Sequence, residues 1–140
     1  MRLNPKLTVF FLILTLTGCV TTGGLIETRY PDGTLKTEQN FEDGKANGTY
    51  REYYPTGVFN VTAYYHNDQL DGLKLIYRED GTLETATEYV HDKIHGFHNY
   101  YYPNESLWKK EIYVAGKLVK RIEYDEEGFV IQEENFNDIR

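Results

Sequence analysis

Apolar and polar residues alternate along most of this chain, and the alternation restarts at regular intervals. One side of the run from Leu35 reads Leu35, Thr37, Gln39, Phe41, and the other reads Lys36, Glu38, Asn40. The pattern returns as Phe59, Val61, Ala63, Tyr65 against Asn60, Thr62, Tyr64, and as Leu83, Thr85, Thr87, Tyr89 against Glu84, Ala86, Glu88. A period of two predicts strands with one apolar and one mostly polar side. Between these runs lie aromatic segments at Tyr50–Tyr54, Leu73–Tyr77 and Tyr100–Tyr102. No segment from about residue 25 onward keeps a 3.6-residue apolar period over three turns, so strands are expected throughout that region.

The restarts are 24 residues apart. Gly48, Gly72 and Gly96 share this spacing, as do Gly33, Gly57 and Gly81, with Glu105 in the next register. Phe41, Tyr65, Tyr89 and Tyr113 form one such series, and Leu35, Phe59, Leu83 and Leu107 another. A repeat of this length predicts an array built by stacking one small unit. The units align as Leu25–Gly48, Thr49–Gly72, Leu73–Gly96, Phe97–Lys120 and Arg121–Arg140, the last shortened so that Gly128 falls one place early.

Each unit carries two turns. Pro31-Asp32-Gly33, Pro55-Thr56-Gly57, Glu79-Asp80-Gly81 and Pro103-Asn104-Glu105 form the first set, in which Pro presets φ and Gly or Asn tolerates positive φ. Glu42-Asp43-Gly44-Lys45, His66-Asn67-Asp68-Gln69 and Val114-Ala115-Gly116-Lys117 form the second, where Asp-Gly is a hairpin signal. Loops this short join antiparallel neighbours. The expected fold is all-β: an extended single-layer antiparallel meander of about five 24-residue hairpin repeats, with about ten strands over residues 25–140. Two ladders should cross it, one from Phe41 through Tyr65, Tyr89 and Tyr113 to Phe136, the other from Leu35 through Phe59, Leu83 and Leu107 to Val130.

The first residues read differently. Arg2 and Lys6 precede the apolar stretch Leu7–Leu16, followed by Thr17, Gly18 and Cys19. A basic start, a short apolar run and small residues before a cut site predict a cleaved signal peptide over residues 1–18, and the run is too short to span a bilayer. Leu16-Thr17-Gly18-Cys19 resembles the bacterial lipobox. That resemblance implies a thiol nucleophile, Cys19, that receives a diacylglycerol and becomes the new N-terminus. Acyl chains on Cys19, the sole cysteine, would anchor the protein in the cell membrane. The absence of Asp at position 20, where Val20 stands, favours outer-membrane sorting if the cell has two membranes. Residues 19–24 are then a tether reaching at most about 20 Å.

The whole chain has a formal charge of −7. Loss of residues 1–18 removes two bases and no acid, leaving 13 basic and 22 acidic side chains and a charge of −9. Such a protein is repelled by nucleic acid and anionic headgroups. A neutral or basic protein partner is expected, and no nucleic acid.

The recurring Tyr-Tyr-x-x-Gly-x-Leu followed by Tyr-x-x-Gly-Lys-Leu-x-Gly resembles the MORN-repeat variant family, nearest to the bacterial toxin–antitoxin system antitoxins of the YwqK type. The resemblance covers Ile26 to about Asn137 and is best carried by Tyr53–Gly72, Tyr77–Gly96 and Tyr101–Lys117. It implies a repeat scaffold, a membrane-associated module or an antitoxin. Departures at Glu105 and Lys120, where Gly is expected, and in the shortened last unit predict an irregular fourth turn, a capping last repeat, and a partner-specific surface in the membrane-distal half.

No residue set predicts catalysis, a metal or a cofactor. His91, Asp92, His95 and His98 include types that suit zinc or copper, but they span a turn where side chains diverge, so they read as solvated. Asp125, Glu126, Glu127, Glu133 and Glu134 cluster near the last turn and final strand, where a solvated face protecting an edge strand explains them. The unusual property is 13 Tyr and one Trp in a single sheet layer. Tyr54, Tyr64, Tyr100, Tyr102 and Trp108 fall in the register opposite to the ladders and are candidates for partner binding, since such rings are enriched at interfaces. The function expected is a non-enzymatic, lipid-anchored scaffold for protein interaction in the bacterial envelope. The alternatives are an antitoxin or immunity protein, and a binder of cell-wall glycan or lipid. Self-association through the uncovered faces is also expected.

Overall fold

The computed structural model describes residues 23–136. The expected leader 1–18, the lipidation candidate Cys19, and positions 20–22 of the expected tether lie outside the described residues. Eleven strands form one open antiparallel sheet: β1 (Gly24–Arg29), β2 (Leu35–Glu42), β3 (Lys45–Tyr53), β4 (Phe59–His66), β5 (Gln69–Leu70), β6 (Gly72–Tyr77), β7 (Leu83–Val90), β8 (Lys93–Tyr101), β9 (Leu107–Val114), β10 (Lys117–Tyr124) and β11 (Val130–Asn135). Their spatial order follows the chain, so the fold is the all-β meander of repeats that the period predicts. β5 and β6 are two pieces of one meander strand, interrupted at Asp71, whose N–H turns back to the Tyr64 carbonyl at 3.0 Å.

The second-set turns each need two residues with positive φ, the mirror-image turn whose twist matches a hairpin. Asp43-Gly44, Asn67-Asp68, His91-Asp92 and Ala115-Gly116 all adopt it, with φ between 49° and 81°. Adjacent turns are also clasped. Asp68 donates its N–H to the Ala46 carbonyl at 2.9 Å and accepts the Ala46 N–H on Oδ1 at 2.7 Å; Asp92 does the same with Leu70 at 2.9 and 2.8 Å.

The first-set turns close with the N–H of Gly33, Gly57, Gly81 and Glu105 bonded to the carbonyls of Tyr30, Tyr54, Arg78 and Tyr102. The fourth turn is therefore regular in its bonding, contrary to expectation. The departure is carried instead as backbone strain, because Glu105 sits at φ 64° where its counterparts are glycine.

One feature of the register changes which residues share a face. Beside every first-set turn the pairing slips by one residue: Arg29 pairs with Leu35, Tyr53 with Phe59, Tyr77 with Leu83, Tyr101 with Leu107 and Tyr124 with Val130. Each slip is a β-bulge whose extra residue is Lys36, Asn60, Glu84, Trp108 or Ile131. Because side chains alternate, a one-residue slip moves a side chain to the other face. The predicted ladder of Leu35, Phe59, Leu83, Leu107 and Val130 therefore does not share a face with Phe41, Tyr65, Tyr89 and Tyr113. It lines the second face with Tyr53 and Tyr77, Phe59 lying 5.0 Å and 6.3 Å from their rings. The first face carries Tyr50, Tyr65, Tyr89, Tyr100 and Tyr113, with Tyr50 edge-on to Tyr65 at 6.2 Å.

Burial is sparse, as a single layer requires. Only Ala63, Leu70, Ala86, Thr87 and Glu111 are buried among the described residues. Ala63, Thr87 and Glu111 follow Gln39 in one 24-residue column at the middle of the first face.

Candidate functional site

The shortening of the last unit alters the first face between β8, β9 and β10. The residue missing from the last unit is lost in β10, where the pairing with β9 slips by one between Leu118 and Lys120; the corresponding slips in β3 and β8 involve two. Lys120 thus pairs with Ile112 on the second face, and Arg121 takes the place on the first face that Tyr50, Lys74 and His98 hold in earlier units. That puts a guanidinium directly opposite Glu111.

Glu111 is only 4% exposed, and an isolated buried carboxylate would be costly. Here it is satisfied on both oxygens. Arg121 donates from Nε and from one terminal nitrogen to Oε1, each at 2.9 Å, while Tyr113 donates to Oε2 at 3.0 Å and Tyr100 at 3.5 Å. Burial pushes the Glu111 pKa up, but the bonds from Arg121 and Tyr113 and the charges of Lys109 and Arg121 outweigh it and hold the carboxyl below the ordinary glutamate range. Burial and the same carboxylate push the Tyr113 phenol up to about 12. Burial lowers His98, which stacks on Tyr100 at 4.2 Å.

The Tyr100 ring borders this network, its hydroxyl 3.5 Å from Glu111, and forms one wall of a cleft of about 400 Å³ lined by Arg78, Glu84, Thr85, Tyr101, Tyr102, Pro103 and Trp108. Two bulge residues of successive units, Glu84 and Trp108, both line it. A bulge re-aims its side chain, and Trp108 lies 6.1 Å from both the Tyr100 and Tyr102 rings, with 40% of its surface exposed. Lys109 places its ammonium 3.9 Å from the Tyr100 centroid and 5.1 Å from that of Trp108.

The five predicted binding residues do not form one surface. Tyr100, Tyr102 and Trp108 come together at the cleft. Tyr64 is 48% exposed on the second face, beside Thr49 and Gly72. Tyr54 belongs to an earlier unit and is half-buried, with its hydroxyl bonded to the Tyr77 carbonyl at 2.8 Å. Tyr100 and Trp108 also lie on the same side as the Tyr65 ladder, not opposite it, because the bulge turns Trp108 over. Glu84, Glu111 and Arg121 were not singled out from sequence. A charged residue at position 111 in a column of Gln, Ala and Thr was the available signal.

The histidine segment separates. His91 and His95 are exposed near the β7–β8 turn, His95 accepting the Ala115 N–H at 3.3 Å, while Asp92 is engaged with Leu70 and His98 lies on the first face. Among the described residues no group of three His, Cys, Asp or Glu is placed to hold a metal ion, and no helix is long and apolar enough to cross a membrane. No protein-family model matches the chain, and no curated protein matches it in sequence.

Proposed function

We propose that the protein is a lipid-anchored, non-enzymatic scaffold of the bacterial envelope, of the MORN-variant repeat kind, which docks a protein partner on the first face of its fourth unit. The observation that supports this reading is the cleft at Trp108. It joins an exposed indole to the rings of Tyr100 and Tyr102, beside the Glu111–Arg121 ion pair, and it lies where the repeat departs from its own pattern. Rigid aromatic anchors with polar tips are what protein interfaces concentrate at their centres. A photo-crosslinking amino acid placed at Trp108 in intact cells should trap a partner, while the same probe at exposed Thr56 should not. Equal labelling from both positions would sink the docking site. The anchor is tested separately: a palmitate analogue should label the wild type and not Cys19→Ser.

A second reading, an antitoxin or immunity protein, draws on the net charge of −7, which would steer a basic toxin. Deletion of the gene should then cause a growth defect that disappears when a neighbouring toxin gene is also removed.

A further inference from the structure

We propose that the cleft between Glu84 and Trp108 receives the cationic side chain, arginine or lysine, of the partner; this deepens the docking reading and rests on it. The ring faces here already attract a cation: the Lys109 ammonium lies over Tyr100 and within reach of Trp108, using the negative face of each π-system. Lys109 is not among the residues lining the cleft, so this contact leaves the lined volume open.

Acidic side chains around the cleft outnumber the basic ones, Arg78 and Lys109. The Glu84 carboxylate is exposed in the lining and has no hydrogen bond or ion pair among the described residues. At the far wall Tyr102 feels Glu126, Asp125, Glu123 and Glu127, whose charges add to the effect of burial in raising its pKa. Arg78 also lines the cleft, but its guanidinium is turned to the Thr82 hydroxyl and the Leu83 and Tyr101 carbonyls. These bonds hold the guanidinium against the sheet, and its positive charge remains part of the lining. An apolar slot with aromatic walls and a free carboxylate at one side suits a long aliphatic stem ending in a positive charge.

The sole tryptophan of the chain, Trp108, makes the test direct. The full chain, purified in detergent, is titrated with the peptide acetyl-Gly-Arg-Gly-amide, with its citrulline counterpart, and with a tetramer of N-acetylglucosamine, while tryptophan fluorescence is recorded. The arginine peptide should change the signal saturably, and the neutral citrulline peptide should bind more weakly by up to about five-fold, as expected for a partly exposed charge pair. Glu84→Gln should reduce arginine binding by a similar factor and leave the far-ultraviolet circular dichroism unchanged. Equal response to arginine and citrulline, response to the sugar alone, or no response to any probe would overturn the proposal. Trapping of a protein from position 108 without charge selectivity would leave the docking reading standing and remove this inference alone. Charge-selective binding without trapping in cells would remove the docking reading and, with it, the assignment of the cation to a protein partner.

Discussion

The Tyr54 hydroxyl donates to the backbone carbonyl of Tyr77, 23 residues further along, at 2.8 Å. The same bond ties Tyr30 to Tyr53 at 2.7 Å and Tyr102 to Tyr124 at 2.9 Å, and Arg78 makes it to Tyr101 with a guanidinium nitrogen. Each spans the gap between successive first-set turns, so it stitches one unit to the next. In an array where each unit touches only its neighbours, such contacts carry much of the cooperativity. Tyr54→Phe should lower stability by about 1 kcal/mol, the net worth of one hydrogen bond. Tyr64→Phe, whose hydroxyl has no partner among the described residues, should stay within about 0.5 kcal/mol. Urea unfolding of both variants checks this.

Arg121→Met should cost about 2 kcal/mol. It leaves Glu111 buried without its cation, and the penalty falls below the roughly 3–5 kcal/mol of a fully buried broken pair because Arg121 is 33% exposed. The pH dependence follows from the lowered Glu111 pKa. The unfolded chain takes up this proton more readily than the native one. The contribution is therefore present above the ordinary glutamate value of 4.5 and is lost as pH falls through the lower native value. Glu111→Gln should remove this component of acid sensitivity, measured as a flatter stability curve below that pH.

At the alkaline end the sign reverses. Tyr50 and Tyr113 are raised to about 12 by burial and by their bonds to Glu52 and Glu111. Their contribution is complete below the ordinary value of 10.0 and falls away as pH rises through the native one. Phenolate absorbance should show a late-titrating class of tyrosines, and Glu111→Gln should bring Tyr113 down toward the ordinary value.

Backbone strain gives two opposite expectations. Gly72 has φ 132°, and a Cβ there would meet Tyr64 Cβ at 3.3 Å. Gly72→Ala should therefore destabilise by about 2 kcal/mol. Ala115 holds φ 50° as the first central residue of a mirror-image turn before Gly116. Ala115→Asn places there a residue that tolerates this conformation, and should stabilise by about 0.5 kcal/mol. Thermal melts of the two variants should move in opposite directions.

Position 111 shows how far the site was legible. Periodicity identified Leu107–Tyr113 as a strand, and Trp108, Tyr100 and Tyr102 as aromatics in need of explanation. It could not show that Glu111 is buried, because its partner Arg121 lies across the next strand and reaches it only through the slip at Leu118–Lys120. The same limit misplaced the Leu35 ladder. Unbroken alternation would keep Leu35 with Phe41, whereas the bulges at Lys36, Asn60, Glu84, Trp108 and Ile131 turn the leucine series onto the second face.

What the chain determines by itself is local or periodic: strands from the two-residue alternation, hairpins from Asp-Gly and Pro-Asp-Gly, and a meander from a 24-residue period whose loops are too short for anything but antiparallel neighbours. These depend on φ preferences and loop lengths, which are properties of neighbouring residues. The tertiary structure alone decided which face each side chain occupies, that Glu84 and Trp108 flank one cleft, and that Arg121 neutralises Glu111. Those depend on cross-strand register, and a one-residue slip in pairing reverses a face without leaving a mark in the alternation of either strand.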